Sequence, residues 1–294
     1  MTNRFTLTFT AEQDGILLRE AIAAWGISKR ALTAIKFDGG QLTVNGVEQN
    51  VRHILSKGDV VHIIFPEEEI SDSLIPQQGD LVVVYEDDAL LVVEKPAFMA
   101  TIPSREHVMG SLANFIRGHF EAQQLHSTVH IVTRLDRDTS GLVVVAKHRH
   151  VHHLMSEQQK CGDVKRQYEA IVEGTFTEPT FSIIEPIGRK DTSIIEREVR
   201  EDGQFAHTDV EVVAANEQFS HIRLTLHTGR THQIRVHMAH IGHPLVGDEL
   251  YGGNHEILDR QALHCCSVQF IHPFTKKMMN FTSKMPDYMV KLIQ

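Results

Sequence analysis

A chain of 294 residues, 41% of them hydrophobic, can bury a full core and is long enough for two domains. No apolar run approaches the ~20 residues that span a bilayer, and the first residues lack the long apolar stretch of a signal peptide, so a cytoplasmic protein without membrane contact is expected. Three cysteines with no CxxC pair argue against a disulfide framework, and a net charge of −9 argues against indiscriminate binding to nucleic acid.

In chain order, Leu17–Ile22 reads as an amphipathic helix, and Ser28 as the N-cap of a second helix through Ala31, Leu32 and Ile35. Leu42, Val44 and Val47 flank Asn45-Gly46, a strong tight-hairpin signal, and Gly58-Asp59 precedes the alternating strand Val60–Phe65. Two helices and a small hairpin sheet resemble the RNA-binding module of several ribosomal proteins and of tyrosyl-tRNA synthetases. That resemblance turns Lys29, Arg30 and Lys36 toward RNA; the alternative is that they form a solvated helix face. Residues 66–79 are acidic, bounded by prolines and poor in periodicity, which reads as a linker. The expected division is therefore a small domain over 1–66, a linker over 67–79 and a larger domain over 80–294.

The larger part begins with strands at Leu81–Tyr85 and Ala89–Glu94, then a helix capped by Ser111. A strand at Leu142–Lys147 and a helix around Val151–Gln159 follow, with further strands at Tyr168–Val172, Asp209–Val213 and Ile222–His227. Thr231 is the expected cap of a helix with Ile234, Met238 and Ile241 on one face, ended by Gly242. Strands and helices do not alternate regularly as βαβ. An α+β fold with a mixed, largely antiparallel sheet is expected.

Arg134-Leu135-Asp136-Arg137-Asp138-Thr139-Ser140-Gly141-Leu142 places one acid among cations and hydroxyls immediately before a buried strand, which reads as a functional loop. A second dense stretch runs from Thr228-Gly229-Arg230-Thr231-His232-Gln233-Ile234-Arg235 through His237-Met238 to Gly247-Asp248 and Tyr251-Gly252. Together, and in this order, they resemble the signatures of the RluA-type pseudouridine synthases. Weaker echoes at Glu94-Lys95-Pro96-Ala97, Tyr168-Glu169-Ala170 and Pro186-Ile187-Gly188-Arg189 extend the resemblance from about residue 80 onward. Thr133 and Phe98 depart from it, standing where His and Gly are usual.

Pseudouridine formation breaks the bond between ribose and a uracil nitrogen and rejoins the base through a ring carbon. It needs a carboxylate, a way to extract the uridine and a pocket that keeps the base, and no cofactor. The resemblance makes Asp136 the carboxylate and Arg235 the cation that keeps it ionised. It puts Arg134 in the gap left by the flipped uridine, Tyr168 against the base and Ile234 in the pocket wall. Arg230, His232 and Gln233 are expected to bind substrate. A lone Asp–Arg pair is more often structural than catalytic, and Tyr168 alone more often a core residue; two matching motifs shift the weight toward catalysis. Asp138 is expected to hold the loop.

The partner implied is RNA, with ribosomal RNA of the large subunit favoured and transfer RNA the alternative; a non-catalytic RNA-binding or ribosome-assembly factor of the same fold is the runner-up. The acidic average is compatible with RNA if Arg134, Arg137, Arg230 and Arg235 form a local cationic cleft. The twenty histidines, chiefly His148, His150, His152 and His153 or His237 and His240, lack the spacing of a metal site, and none is expected. A monomer is expected.

Overall fold

The computed structural model describes residues 4–71, 73–104 and 107–294. The N-terminal part comprises β1 (Thr6–Thr10), α1 (Leu18–Ala24), α2 (Lys29–Phe37), β2 (Gln41–Val44), β3 (Val47–Glu48) and β4 (Val60–Ile64). Its antiparallel sheet has the order β1-β4-β2-β3. Ser28 starts α2 as a cap, its Oγ accepting the Ala31 amide at 3.2 Å. The β2–β3 turn sits on Asn45 and Gly46, both at positive φ (50° and 80°), the conformation whose twist suits a two-residue hairpin. β1 is absent from the sequence expectation, although Thr6, Thr8 and Thr10 alternate with Leu7 and Phe9 as a half-buried strand does. Leu18, Ile22, Ile35, Val61 and Ile63 form a core of their own under the helices.

The segment after β4 is fastened at Glu68 and at Gln77. Glu68 accepts bonds from His130 Nε2 (2.7 Å) and the Arg149 amide (2.6 Å), and the Gln77 amide donates to the Asn114 carbonyl (3.0 Å).

The remainder contains β5 (Val82–Glu86), β6 (Leu90–Lys95), α3 (Leu112–Ala122), β7 (His130–Ile131), β8 (Ser140–Ala146), α4 (Arg149–Cys161) and β9 (Lys165–Glu173). It continues with β10 (Thr180–Ile183), β11 (Ile187–Arg189), β12 (Arg197–Val199), β13 (Thr208–Ala215), β14 (Phe219–Leu226) and α5 (Gln233–His240). A 3-10 turn (Glu249–Tyr251), β15 (Leu263–Ile271), β16 (Met278–Thr282) and α6 (Asp287–Val290) complete it. The large sheet has the order β10-β13-β14-β9-β15-β8-β6-β5, with β16 beside β15 and β7 beside β8. Its described pairs are antiparallel except β15 with β8, so the fold is α+β and largely antiparallel. β8 is buried at every position, as its unbroken Leu142–Ala146 run requires of a central strand. At its start Gly141 has φ 114°, and a Cβ there would stand 2.3 Å from the Cys265 carbonyl oxygen, so only glycine lets β15 approach.

The two parts meet through aromatic rings. Phe5 stacks on His148 (centroids 4.1 Å apart), and Phe65 stacks on His150 (5.0 Å), at the start of α4. Burial holds both imidazoles down to about 4, against an ordinary value of 6.5. An unfolded chain takes up these protons near pH 6.5 and the folded chain only near pH 4. The stability they confer is therefore complete above pH 6.5 and lost as the pH falls toward 4. Neither ring nitrogen of His150 has a hydrogen-bond partner among the described residues. His150→Phe keeps the ring contacts and removes two stranded polar atoms. It is expected to melt no lower than the parent at pH 7 and to lose less stability between pH 6.5 and 4; a melting series at several pH values checks both, and a markedly lower neutral melting temperature contradicts the reading.

Candidate active site

The loop between β7 and β8 carries Asp136, and several buried side chains fix its path. Thr133 Oγ1 accepts the Val144 amide (2.9 Å), and Thr101 Oγ1 donates to the Leu135 carbonyl (2.6 Å). Gln261 Nε2 donates to Thr139 Oγ1 (3.1 Å). Lys95, fully buried, donates to the carbonyls of Pro96 (2.8 Å), Met99 (2.7 Å) and Arg137 (3.0 Å). Burial pushes its ammonium down to about 7, with Asp138 and then Asp136 pulling the other way. The departures from the motif pattern fit here. Thr133 contributes the hydroxyl that ties the loop to β8, and Phe98 adopts left-handed backbone (φ 63°) with its ring 4.7 Å from the Arg260 guanidinium.

Asp136 lies in an open cleft of about 900 Å3. Among the described residues, Arg134, Arg137, Lys160, Lys165, Arg166, Arg230 and Arg235 line it against a single acid, Asp136. A protein acidic on average thus presents a cationic concavity here, which suits a polyanion. Tyr168, on β9, and Ile234, at the start of α5, form apolar wall; both are buried. Burial raises the Tyr168 phenol well above its ordinary value, which keeps it protonated. Arg134 is exposed and has no ion pair or side-chain hydrogen bond among the described residues, so its guanidinium is available to a ligand.

α5 is buried on nearly every side, and this brings Arg235 to the loop. Its Nη1 lies 3.4 Å from Asp136 Oδ2, joining groups 99 residues apart in the chain. Its closer partner is Asp248, gripped through Nε and Nη2 at 2.7 Å each. Asp248 is 1% exposed and Asp136 29% exposed, so the buried bidentate pair holds the guanidinium and Asp136 meets its free edge. Arg235 therefore meets Asp136, as expected of it, and grips Asp248 besides.

His232 is the other group near Asp136, with Nε2 3.9 Å from Oδ2. It precedes α5 in left-handed backbone (φ 58°), displacing Thr231 from the capping position expected of it. Tyr251 Oη accepts the Arg197 amide (3.0 Å) and stands 2.7 Å from His232 Nδ1. When that hydroxyl donates to Nδ1, the imidazole N–H sits on Nε2, facing Asp136. Burial lowers the His232 pKa, favouring this neutral form, while Asp136 opposes it.

Gln233 differs from its expected role. Its Oε1 accepts Thr228 Oγ1 (2.7 Å) and the Arg230 amide (2.9 Å), and its Nε2 donates to the His207 carbonyl (3.0 Å) and Thr208 Oγ1 (2.9 Å). With its amide used on both sides it braces the loop rather than reaching a ligand. Arg230 is exposed at the rim and donates to the Phe205 carbonyl (2.9 Å). Asp138 pairs with Arg137 (2.8 Å). Lys29, Arg30 and Lys36 do not line the cleft; they are exposed on α2. Asp248 and Tyr251 were given no role from sequence, although both stand within the second motif; the signal available was a lone acid and a lone hydroxyl downstream of an arginine.

Residues 89–240 match the family model described as RNA pseudouridylate synthase. The chain is 48% identical to the RNA pseudouridine synthase YjbO of Bacillus subtilis, over 94% of this chain and 98% of that one. It is 37% identical to the ribosomal large subunit pseudouridine synthase D of Pseudomonas aeruginosa, over 84% of this chain and 81% of the relative. Among solved structures it resembles human RNA pseudouridylate synthase domain containing 1, with a TM-score of 0.59 and 25% identity over 74% of this chain and 86% of that one.

Proposed function

This chain belongs to the RNA pseudouridylate synthase family and is an isomerase of RNA uridine, and from that premise we propose that its substrate is large-subunit ribosomal RNA. Relatives of 34 to 37% identity bearing the name ribosomal large subunit pseudouridine synthase D support the choice of RNA. The observation that carries the catalytic assignment is the meeting of Asp136 and Arg235, from two separate motifs, in a cleft whose other charged lining is cationic.

In this reading the target uridine leaves its stack and enters the cleft, and Arg134 fills the vacated space. Asp136 supplies the carboxylate that assists cleavage of the N1–C1′ bond. The uracil turns against Tyr168 and Ile234, C5 bonds to C1′, and the C5 proton is lost as N1 gains one. Atoms and electrons balance without a cofactor. Arg235 donates to the Asp136 carboxylate at 3.4 Å, and the His232 ring stands 3.9 Å from the same oxygen. The enzyme works as a monomer in the cytoplasm; among the described residues no helix is long and apolar enough to cross a membrane. Mapping pseudouridines in ribosomal and transfer RNA by chemical labelling, in cells with and without the gene, tests the substrate. A site lost only from transfer RNA sinks the ribosomal assignment.

The N-terminal part is an RNA-binding module in the same reading. Lys29, Arg30 and Lys36 stand exposed on α2, supporting phosphate contact. Deleting the part would uncover the aromatic contacts at His148 and His150, so side-chain substitution is the cleaner test. Changing all three to Gln is expected to flatten the logarithmic salt dependence of RNA binding by about two, with little change in turnover of a short fragment. An unaltered slope removes these residues from the interface.

A further inference from the structure

Strand pairing assembles another set of donor groups at the edge of the cleft. His207 and His227 face each other where β13 begins and β14 ends, the His227 amide donating to the His207 carbonyl (3.2 Å). Asp209 lies two residues beyond His207 and therefore on the same face of the sheet. His207 Nε2 is 3.0 Å from Asp209 Oδ1, and His227 Nε2 is 2.6 Å from Asp209 Oδ2. The imidazoles stack with centroids 4.2 Å apart. On the neighbouring strand Ser182 pairs directly with Asp209, and its hydroxyl donates to Oδ1 at 2.6 Å.

We infer that His207, Asp209 and His227 form a binding site for a divalent transition cation of the zinc class. All three donor atoms lie within 4.8 Å of one another, so modest side-chain rotation brings each to the ~2 Å that zinc requires. Two imidazoles and one carboxylate leave a position open for water, and nitrogen donors select zinc-like ions over magnesium or calcium. Ser182 orients the carboxylate, the kind of outer support that ligating groups carry. The side chains are 24%, 43% and 39% exposed, which gives the ion a way in. Each imidazole, now donating Nε2–H to the carboxylate, frees Nε2 when the ion binds, its proton passing to Nδ1 or to solvent, so the exchange balances. His227 also lines the cleft, and the ion's charge adds to the cationic wall there. The site departs from the sequence expectation of no metal, because its donors are adjacent only through β13 and β14.

Calorimetric titration of the untagged full-length protein with zinc chloride, paired with melting curves in zinc and in magnesium, tests the site. One equivalent of zinc is expected to bind and raise the melting temperature, and magnesium to do neither. His207→Gln and Asp209→Asn should each weaken binding by about a hundredfold or more, and Ser182→Ala, which keeps every donor, by about tenfold or more. Failure of the parent to bind zinc overturns the site, as does binding that survives all three substitutions unchanged. Neither result touches the assignment of Asp136, which is read from turnover.

Discussion

Asp136→Asn is expected to fold and bind RNA as the parent does, while turnover falls by more than about a hundredfold. The substitution is nearly isosteric. Asp136 is 29% exposed, and its contacts are the 3.4 Å approach of Arg235 and the more distant His232, so the amide loses little packing. The loop beneath it is held by Thr101, Thr133, Lys95 and Gln261, none of which bonds to the Asp136 carboxylate. What the amide cannot do is act as an anionic nucleophile or base. Single-turnover assays on a labelled uridine, with parallel RNA binding, separate the two effects. Activity within about a hundredfold of the parent would assign the chemistry to another group.

How far the site was legible in the sequence depends on how local its determinants are. Asp136, Arg134 and the loop ahead of β8 could be read because charge, hydroxyls and glycine crowd one short stretch before a continuous apolar strand. The hairpin at Asn45-Gly46 and the Ser28 cap were legible for the same reason, since each is set by two to four neighbouring residues. β1 was missed because a short Thr-rich run becomes a strand only by pairing with β4, some fifty residues later. The fastening of Glu68 was hidden too: acid and proline suggest a linker, and only the fold supplies His130 and the Arg149 amide to it. Gln233 shows the opposite error. A polar residue between two motif positions looks like a ligand contact, yet the turn before α5 consumes its whole amide. Buried hydrogen-bond assignments of this sort are decided by tertiary geometry and leave no spacing signal.

The same lesson changes what removing Arg235 should do. Arg235→Met is expected to destabilise the protein by about 3–5 kcal/mol, mainly by stranding Asp248, which is 1% exposed and loses both of its 2.7 Å bonds. For a chain of this size that is a fall of roughly 10 °C in melting temperature. Asp136, partly open to water, suffers less in stability and more in chemistry, since it loses the guanidinium that donates to it. The two consequences separate in a double variant. Arg235→Met with Asp248→Leu replaces a buried ion pair by apolar side chains, a change that is often neutral for stability. It should recover most of the lost melting temperature, giving a large favourable coupling between the two positions. Turnover should stay at the level of the single variant, because the guanidinium that faces Asp136 is still missing. If turnover returns together with stability, Arg235 acts on the reaction only by holding Asp248 and α5 in place.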